Sequence, residues 1–332
     1  MIRLGIVGLG VSGQRHLSSL PRVSRSDVRL TAVATARPAR LSGLQLPADV
    51  AVFNDYRTLI RDGQVDAVII ALPPNMHKEA AVYAAQHGKH VLLEKPIATT
   101  LAEGEQIAQA AETHNVRLML GYVHRYREEI IAARELLAAG RIGKPTSILD
   151  RFVLPGDDLP NWVWDREISG GGVMMHAGVH AIDRLRWLMG CEVVEVYARV
   201  QTYGARPGVI NIENGLATML TFENGVIATL IENMPPYDVQ YRYWDTEIFG
   251  TAGMLHIRTD DYLEFTGPSV NFKQTFRGYD RHARQIDAFV DAIVDARTPD
   301  ISAEDGMRSL AIALAIYRSA YVGRPVLVTN HD

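Results

Sequence analysis

The segment Ile2–Gly13, IRLGIVGLGVSG, leaves a chain few ways to fold. A short, almost wholly apolar run ends in Gly8-Leu9-Gly10-Val11-Ser12-Gly13, which fits G-x-G-x-x-G, and QRHLSSL continues it with helical periodicity. An apolar run of this length, bounded by glycine, reads as a strand buried on both faces. Strand, glycine turn and helix together open a βαβ unit, the context in which the motif acquires meaning. Gly8 permits the tight turn, Gly10 lets the backbone approach a pyrophosphate, and Gly13 lets the helix pack close to the strand. The helix N-terminus at Val11 and Ser12 then favours phosphate charge. These residues are the first candidates for a dinucleotide site.

The same alternation runs on through the first third. Strand-like VRLTAVA, VAVF, VDAVIIAL, HVLLE and VRLMLGY are separated by helical YRTLIRDG, HKEAAVYAAQHG and LAEGEQIAQAAETHN. The pattern predicts a doubly wound parallel sheet covered on both faces. After Gly121 the rhythm changes. One helix over 128–140 precedes longer alternating segments, PTSILDRFVL, VVEVYARVQTY, NGLATMLTFENGVIATLIENM and DTEIFGTAGMLHI. Glu223-Asn224-Gly225 between two of these runs is a hairpin signal. The expected second domain is α+β with an open, largely antiparallel sheet, completed by two C-terminal helices. The 332 residues therefore divide into a Rossmann domain, 1–121, and a substrate-binding and oligomerisation domain, 122–332. The turn PGDDLP, with Asp157 and Asp158, has too few ligands for a Ca²⁺ loop and reads as solvated.

Composition narrows the partners. The formal net charge of −4 gives no reason to expect nucleic acid or a membrane surface. No apolar run is long enough to span a bilayer, and the N-terminus lacks the pattern of a signal peptide. The single cysteine, Cys191, rules out a disulfide within the chain and points to a reducing compartment, so a cytoplasmic location is expected. An NAD site usually carries an acid at the end of the second strand. Here the stretch is Thr35-Ala36-Arg37-Pro38-Ala39-Arg40, with no acid and two arginines suited to a 2′-phosphate, so NADP is expected ahead of NAD.

Three further motifs stand in order: Leu72-Pro73-Pro74-Asn75 after the fourth strand, Glu94-Lys95-Pro96 after the fifth, and Gly170-Gly171-Gly172 followed by Gly178-Val179-His180-Ala181-Ile182-Asp183. With the glycine loop ahead of them, they make the chain resemble the Gfo/Idh/MocA oxidoreductase family over essentially its whole length. The resemblance implies NAD(P)-dependent transfer of hydride to or from a sugar, polyol or related hydroxy or keto compound. It also implies a homo-oligomer, dimer or tetramer, built through the C-terminal sheet. By match, Lys95 lies by the nicotinamide and the reacting hydroxyl, and His180 is the acid/base. Leu72, Pro73, Asn75 and Glu94 join the cofactor set. The chemistry asks for such groups in any case: a base that titrates near neutrality, and a cation where an alkoxide forms.

The chain departs from the family pattern at His176, where an aspartate is usual. Three readings of His176 stand side by side. It replaces the aspartate as a hydrogen-bond partner of substrate or of His180, the two titrating as a pair. It binds a metal with His180, four residues on, although no third ligand is evident, so no metal site is assigned. Or it is a packed or solvated side chain. A second departure is Trp162-Val163, where an aromatic-Arg pair is usual. Trp162, Trp164, Tyr122, Arg125 and Asp183 are the remaining candidates for the substrate. His77 and His114, on helix patterns, read as surface residues. Two rival functions remain open from sequence: a glycosidase or lyase that retains its dinucleotide and oxidises transiently, and a non-catalytic dinucleotide- or sugar-sensing protein.

Overall fold

The computed structural model describes residues 1–44, 46–156, 159–203, 212–239 and 242–329, the side chain of Arg40 apart. Asp157 and Asp158 of the expected solvated turn lie outside the described residues. The chain forms two compact units: Met1–Val123 with Asp280–Met307, and His124–Tyr279 with Arg308–Asp332. A single cut at residue 121 therefore misses the return of the chain. The stretch 280–307 packs with the first unit because its helix is amphipathic, burying Ala283, Ile286, Phe289 and Val290.

In the first unit six strands, β1 (Ile2–Val7), β2 (Val28–Ala34), β3 (Ala51–Phe53), β4 (Ala67–Ile70), β5 (His90–Leu93) and β6 (Leu118–Leu120), lie in the order β3-β2-β1-β4-β5-β6. Every pairing is parallel. This is the doubly wound dinucleotide-binding order, whose strand order reverses beside β1. β4 reads AVII and is buried at all four positions, as a strand covered on both faces must be. The helices α1 (Val11–Ser19), α2 (Tyr56–Asp62), α3 (His77–Gln86) and α4 (Leu101–Thr113) connect the strands. α4 starts at Thr100, whose hydroxyl accepts from the Glu103 amide as an N-cap.

In the second unit, α5 (Glu128–Ala138) leads into β7 (Pro145–Val153). A short helix, α6 (Arg166–Ser169), precedes a π-helical turn, Met174–Gly178, and α7 (Val179–Met189). Then follow β8 (Val193–Gln201), β9 (Gly215–Phe222), β10 (Ile227–Asn233), β11 (Tyr243–Gly250), β12 (Gly253–Arg258), β13 (Tyr262–Thr266), β14 (Asn271–Thr275) and, near the C-terminus, β15 (Val326–Leu327). The nine strands form one sheet, β14-β13-β12-β11-β7-β10-β9-β8-β15, antiparallel except where β10 runs parallel to β7. The expected hairpin joins β9 to β10, with Gly225 at φ +82° and Leu220 opposite Ala228.

One face of this sheet is core, with Ile148, Leu220, Ala228, Leu230 and Ile248 buried. The other leaves Met219, Ile227, Ile231 and Phe249 exposed. Alternation along each strand, with Ile227 opposite Thr221 and Ser147, and Ser147 opposite Phe249, puts these apolar groups on one side. No helix among the described residues is long and apolar enough to cross a membrane.

Candidate active site

Each glycine of the N-terminal motif has its own physical reason. Gly8 sits at φ +90°, a left-handed conformation that side chains resist. A Cβ on Gly13 would overlap the Gly8 carbonyl oxygen, so α1 lies hard against the turn. Gly10, the N-cap of α1, differs: a Cβ built there meets nothing within 4 Å, and no side chain caps the helix end. Val11, beside it, is exposed. An open helix N-terminus with bare amides fits a pyrophosphate, so these residues suit a dinucleotide. Thr35 follows β2, and its hydroxyl accepts from the Arg37 amide at 3.2 Å, fixing the turn before the exposed Arg37. Leu72 and Pro73 are partly exposed after β4, and Asn75 is exposed.

Glu94 and Lys95 follow β5. The Glu94 carboxylate lies 2.8 Å from His16 Nε2, on α1, where both are buried. Burial alone would raise its pKa, but the hydrogen bond from His16 and the charges of His16, Lys95 and His282 hold it down at about 2. Glu94 is thus an anion held by His16. Lys95 is partly exposed. Burial lowers its pKa to about 8, with Glu94 opposing and Arg15 adding to the fall. An ammonium that titrates near neutrality is suited to stabilising a transient negative charge.

The expected surface position of His77 is corrected. It is fully buried, with Nδ1 2.8 Å from the Pro96 carbonyl and Nε2 2.9 Å from the Leu72 carbonyl. It ties the turn after β4 to the turn carrying Lys95. Helical periodicity could not reveal this, because His77 is the first residue of α3 and faces loops rather than solvent.

The second unit builds its part around buried carboxylates. Glu213 accepts from the amides of Gly172, at 3.0 Å, and Met174, also at 3.0 Å, and from the Tyr317 hydroxyl at 2.8 Å. It supplies the negative charge that a helix N-terminus favours. Burial raises its pKa against these hydrogen bonds. Cβ atoms on Gly171 and Gly172 would overlap the Tyr317 hydroxyl and the Glu213 carbonyl oxygen. A Cβ on Gly178 would lie 2.8 Å from Glu232 Oε2. Glu232 is itself fully buried, and burial followed by repulsion from Asp150 pushes its pKa well up, against the pull of Arg184.

The result is a helical segment packed on nearly all sides. From Gly171 to Arg186, His176 and His180 alone are partly exposed, and every other residue is buried. The segment enters through a π turn, a distortion that recurs at functional sites. His180 stacks on His124, with centroids 4.5 Å apart and planes 11° apart.

Of the five remaining substrate candidates, four are buried. Asp183 is wholly buried and binds Arg125 through two hydrogen bonds of 2.9 and 2.5 Å, so both are turned inward. Trp164 is buried, its ring filling the space over Gly156. Tyr122 is fully buried. Trp162 stays partly exposed. Among the described residues no group of three His, Cys, Asp or Glu is placed to hold a metal ion. Sequence reasoning overlooked Glu213, whose only signal was an acid between two strands.

The fold and the glycine turn define a Rossmann-type domain suited to a dinucleotide. Comparison with known proteins agrees. Residues 2–122 match the oxidoreductase family with an NAD-binding Rossmann fold, and residues 130–256 match the GFO/IDH/MocA C-terminal domain. The chain is 30% identical to 1,5-anhydro-D-fructose reductase of Ensifer adhaerens over 80% of each chain. It is 27% identical to D-xylose 1-dehydrogenase (NADP⁺) 2 of Haloferax volcanii, covering 97% of this chain and 98% of that one. Among solved structures, scyllo-inositol dehydrogenase of Lactobacillus casei with bound NAD(H) and scyllo-inositol superposes with a TM-score of 0.82, at 26% identity and 99% coverage of both chains. The chain belongs to the Gfo/Idh/MocA family of oxidoreductases, and it is an NAD(P)-dependent enzyme acting on CH–OH groups.

Proposed function

We propose that the protein oxidises a hydroxyl of a sugar, polyol or related compound, or reduces the corresponding carbonyl, with NADP preferred over NAD. The single observation that carries the reading is the exposure pattern of the Gly171–Arg186 segment, in which two imidazoles alone reach the surface of a packed helix. When bound, the dinucleotide supplies the hydride acceptor or donor. It would be held at Gly8, Gly10, Val11, Ser12 and Gly13, with Thr35, Ala36, Arg37 and Arg40 beside the adenosine ribose and Leu72, Pro73 and Asn75 nearer the nicotinamide. The side chain of Arg40 lies outside the described ones.

Lys95 stabilises the alkoxide as its oxygen gains charge, and His180 takes the hydroxyl proton in oxidation or returns it in reduction. His176 is a hydrogen-bond partner in the place where the family usually has an acid, and Trp162 borders the substrate. The xylose and anhydrofructose relatives support a polyhydroxylated substrate, and Arg37 at the end of the second strand supports NADP. The exposed apolar face with Met219, Ile227, Ile231 and Phe249 supports a homo-oligomer built through this sheet. The single cysteine supports a reducing compartment, the cytoplasm.

The test is a steady-state screen of sugars and polyols with NADP⁺ and NAD⁺, using the wild type, Lys95→Ala and His180→Asn. Both variants should lose about 10²–10⁴ in kcat with unchanged melting curves. A near-normal rate in either removes that residue from the chemistry.

A further inference from the structure

We infer that His124 is a positioning residue for the His180 proton: a neutral imidazole, locked in one tautomer, whose face orients the acid/base ring and steadies its charged form. The inference rests on the acid/base reading of His180.

The tautomer follows from the partner. Arg127 Nη2 lies 3.3 Å from His124 Nε2. A guanidinium has only N–H donors and no lone pair to offer, so Nε2 must accept. The ring proton is then on Nδ1. A second proton would set N–H against N–H and cation against cation, so His124 stays neutral while Arg127 is in place. Arg127 is held from behind by ion pairs with Asp260 and, at 3.7 Å, Glu129. Glu129 in turn accepts from the Tyr279 hydroxyl at 2.6 Å and the Asp260 amide at 2.9 Å.

The orientation is fixed from a second side. Trp244 meets the His124 ring edge-on, with centroids 4.5 Å apart and planes at 68°. Its indole N–H donates to Asp150 Oδ1 at 2.8 Å. Asp150, fully buried, also accepts from the Thr246 hydroxyl at 2.6 Å and from Arg184. One face of the His124 ring lies against the face of His180.

Two consequences follow. The ring plane of His180 is set by a neighbour that cannot turn without breaking the Arg127 contact. When His180 takes a proton, the charge lies over a neutral aromatic face, which stabilises a cation. His180 therefore titrates beside a silent neighbour, and the two rings are not a coupled pair. The other charged or titratable groups around it are Arg127, Glu129 and Asp260 beyond His124, and Arg184 and Asp150 beyond Trp244. On its own helical segment are His176 and Asp183, and against that segment lie Arg125, bound to Asp183, and Glu232 of β10, beside Gly178.

The experiment is an NMR titration of the histidine rings in the ¹⁵N-labelled full chain, with His180→Asn used to assign the His180 signals. Two variants separate the roles of the ring and of its acceptor. His124→Phe keeps a flat face and loses the acceptor; His124→Gln keeps an acceptor for Arg127 and loses the ring. The His180 midpoint should stay within about 0.3 pH unit in His124→Phe and fall by about half a unit to one unit in His124→Gln, the pH profile of kcat/KM moving with it. A merely structural role would move both or neither. An unmoved midpoint in His124→Gln, or a His124 signal that itself titrates between pH 5 and 8, overturns the proposal while leaving His180 its role. Near-wild-type turnover in His180→Asn overturns the acid/base reading, and this proposal with it.

Discussion

Two glycine-rich stretches of this chain use the same residue for opposite ends. In Gly8–Gly13 the middle glycine opens space: a Cβ on Gly10 would touch nothing, and the helix end beyond it is bare. In Gly170–Gly178 the glycines close space. Tyr317, the Glu213 backbone and Glu232 stand where side chains at 171, 172 and 178 would go. The first loop is shaped for something that comes from outside. The second is shaped by its own neighbours, and its product is the placement of His176 and His180. Glycine in a motif therefore says that a side chain is unwelcome, and only the surroundings say whether a ligand or the protein itself excludes it.

Alanine substitution breaks the comparison most directly. Gly172→Ala sets a methyl against a backbone oxygen, which cannot give way as a flexible side chain does. We expect a loss of about 3 kcal/mol or more, read as a collapse of the thermal transition. Gly10→Ala, at φ −74°, should change stability by less than about 0.5 kcal/mol while weakening NADPH binding about tenfold or more in a fluorescence titration. Equal stability losses in the two variants would dissolve the distinction.

A second expectation compares the two titrating groups. In the proposed chemistry Lys95 works as an ammonium, and burial lowers its pKa from the ordinary 10.5 to about 8. As pH rises through 8 the charge is lost, so kcat/KM should fall about tenfold per pH unit well above that point. Lys95→Arg, which keeps its charge to far higher pH, should remove this alkaline limb even where its rate is low. A limb that survives in Lys95→Arg belongs to another group.

The smallest effect concerns cofactor choice. Arg37 is exposed, so a contact with a 2′-phosphate there would be screened by solvent. Arg37→Ala should weaken NADPH binding about three- to tenfold and leave NADH unchanged. An equal loss for both cofactors would make Arg37 a general support of the turn.

Much of the first unit was legible because a parallel sheet leaves a local trace: β4 and β5 are continuous apolar runs, and the motif Gly8–Gly13 marks its own turn. The β9–β10 hairpin was legible for the same local reason. What escaped depends on partners distant in the chain. Asp183 reads as a polar residue on a helix face until Arg125, 58 positions away, turns it inward. His77 shows no anomaly of pattern, because its task is to join two carbonyls. The π turn at Met174–Gly178 leaves no periodic signature of its own, and the short strands β13 and β14, YLEFT and NFKQT, are too polar to announce themselves. The histidines were visible as a pair, whereas the stacked neighbour of His180 is His124, on another element.

The return of residues 280–307 to the first unit bears on how the protein is made. Asp280 binds Ser19 and Arg22, and Asp287 and Asp291 bind the turn at Ser24 and Arg25, so the start of the chain is secured by a stretch near its end. During synthesis the six-stranded sheet emerges first, yet its closing helix follows about 10–40 s later at common elongation rates. For that interval the nascent chain carries an unfinished flank on α1, open to chaperones and proteases. An amino-terminal fragment ending near residue 123 would keep that unfinished state permanently.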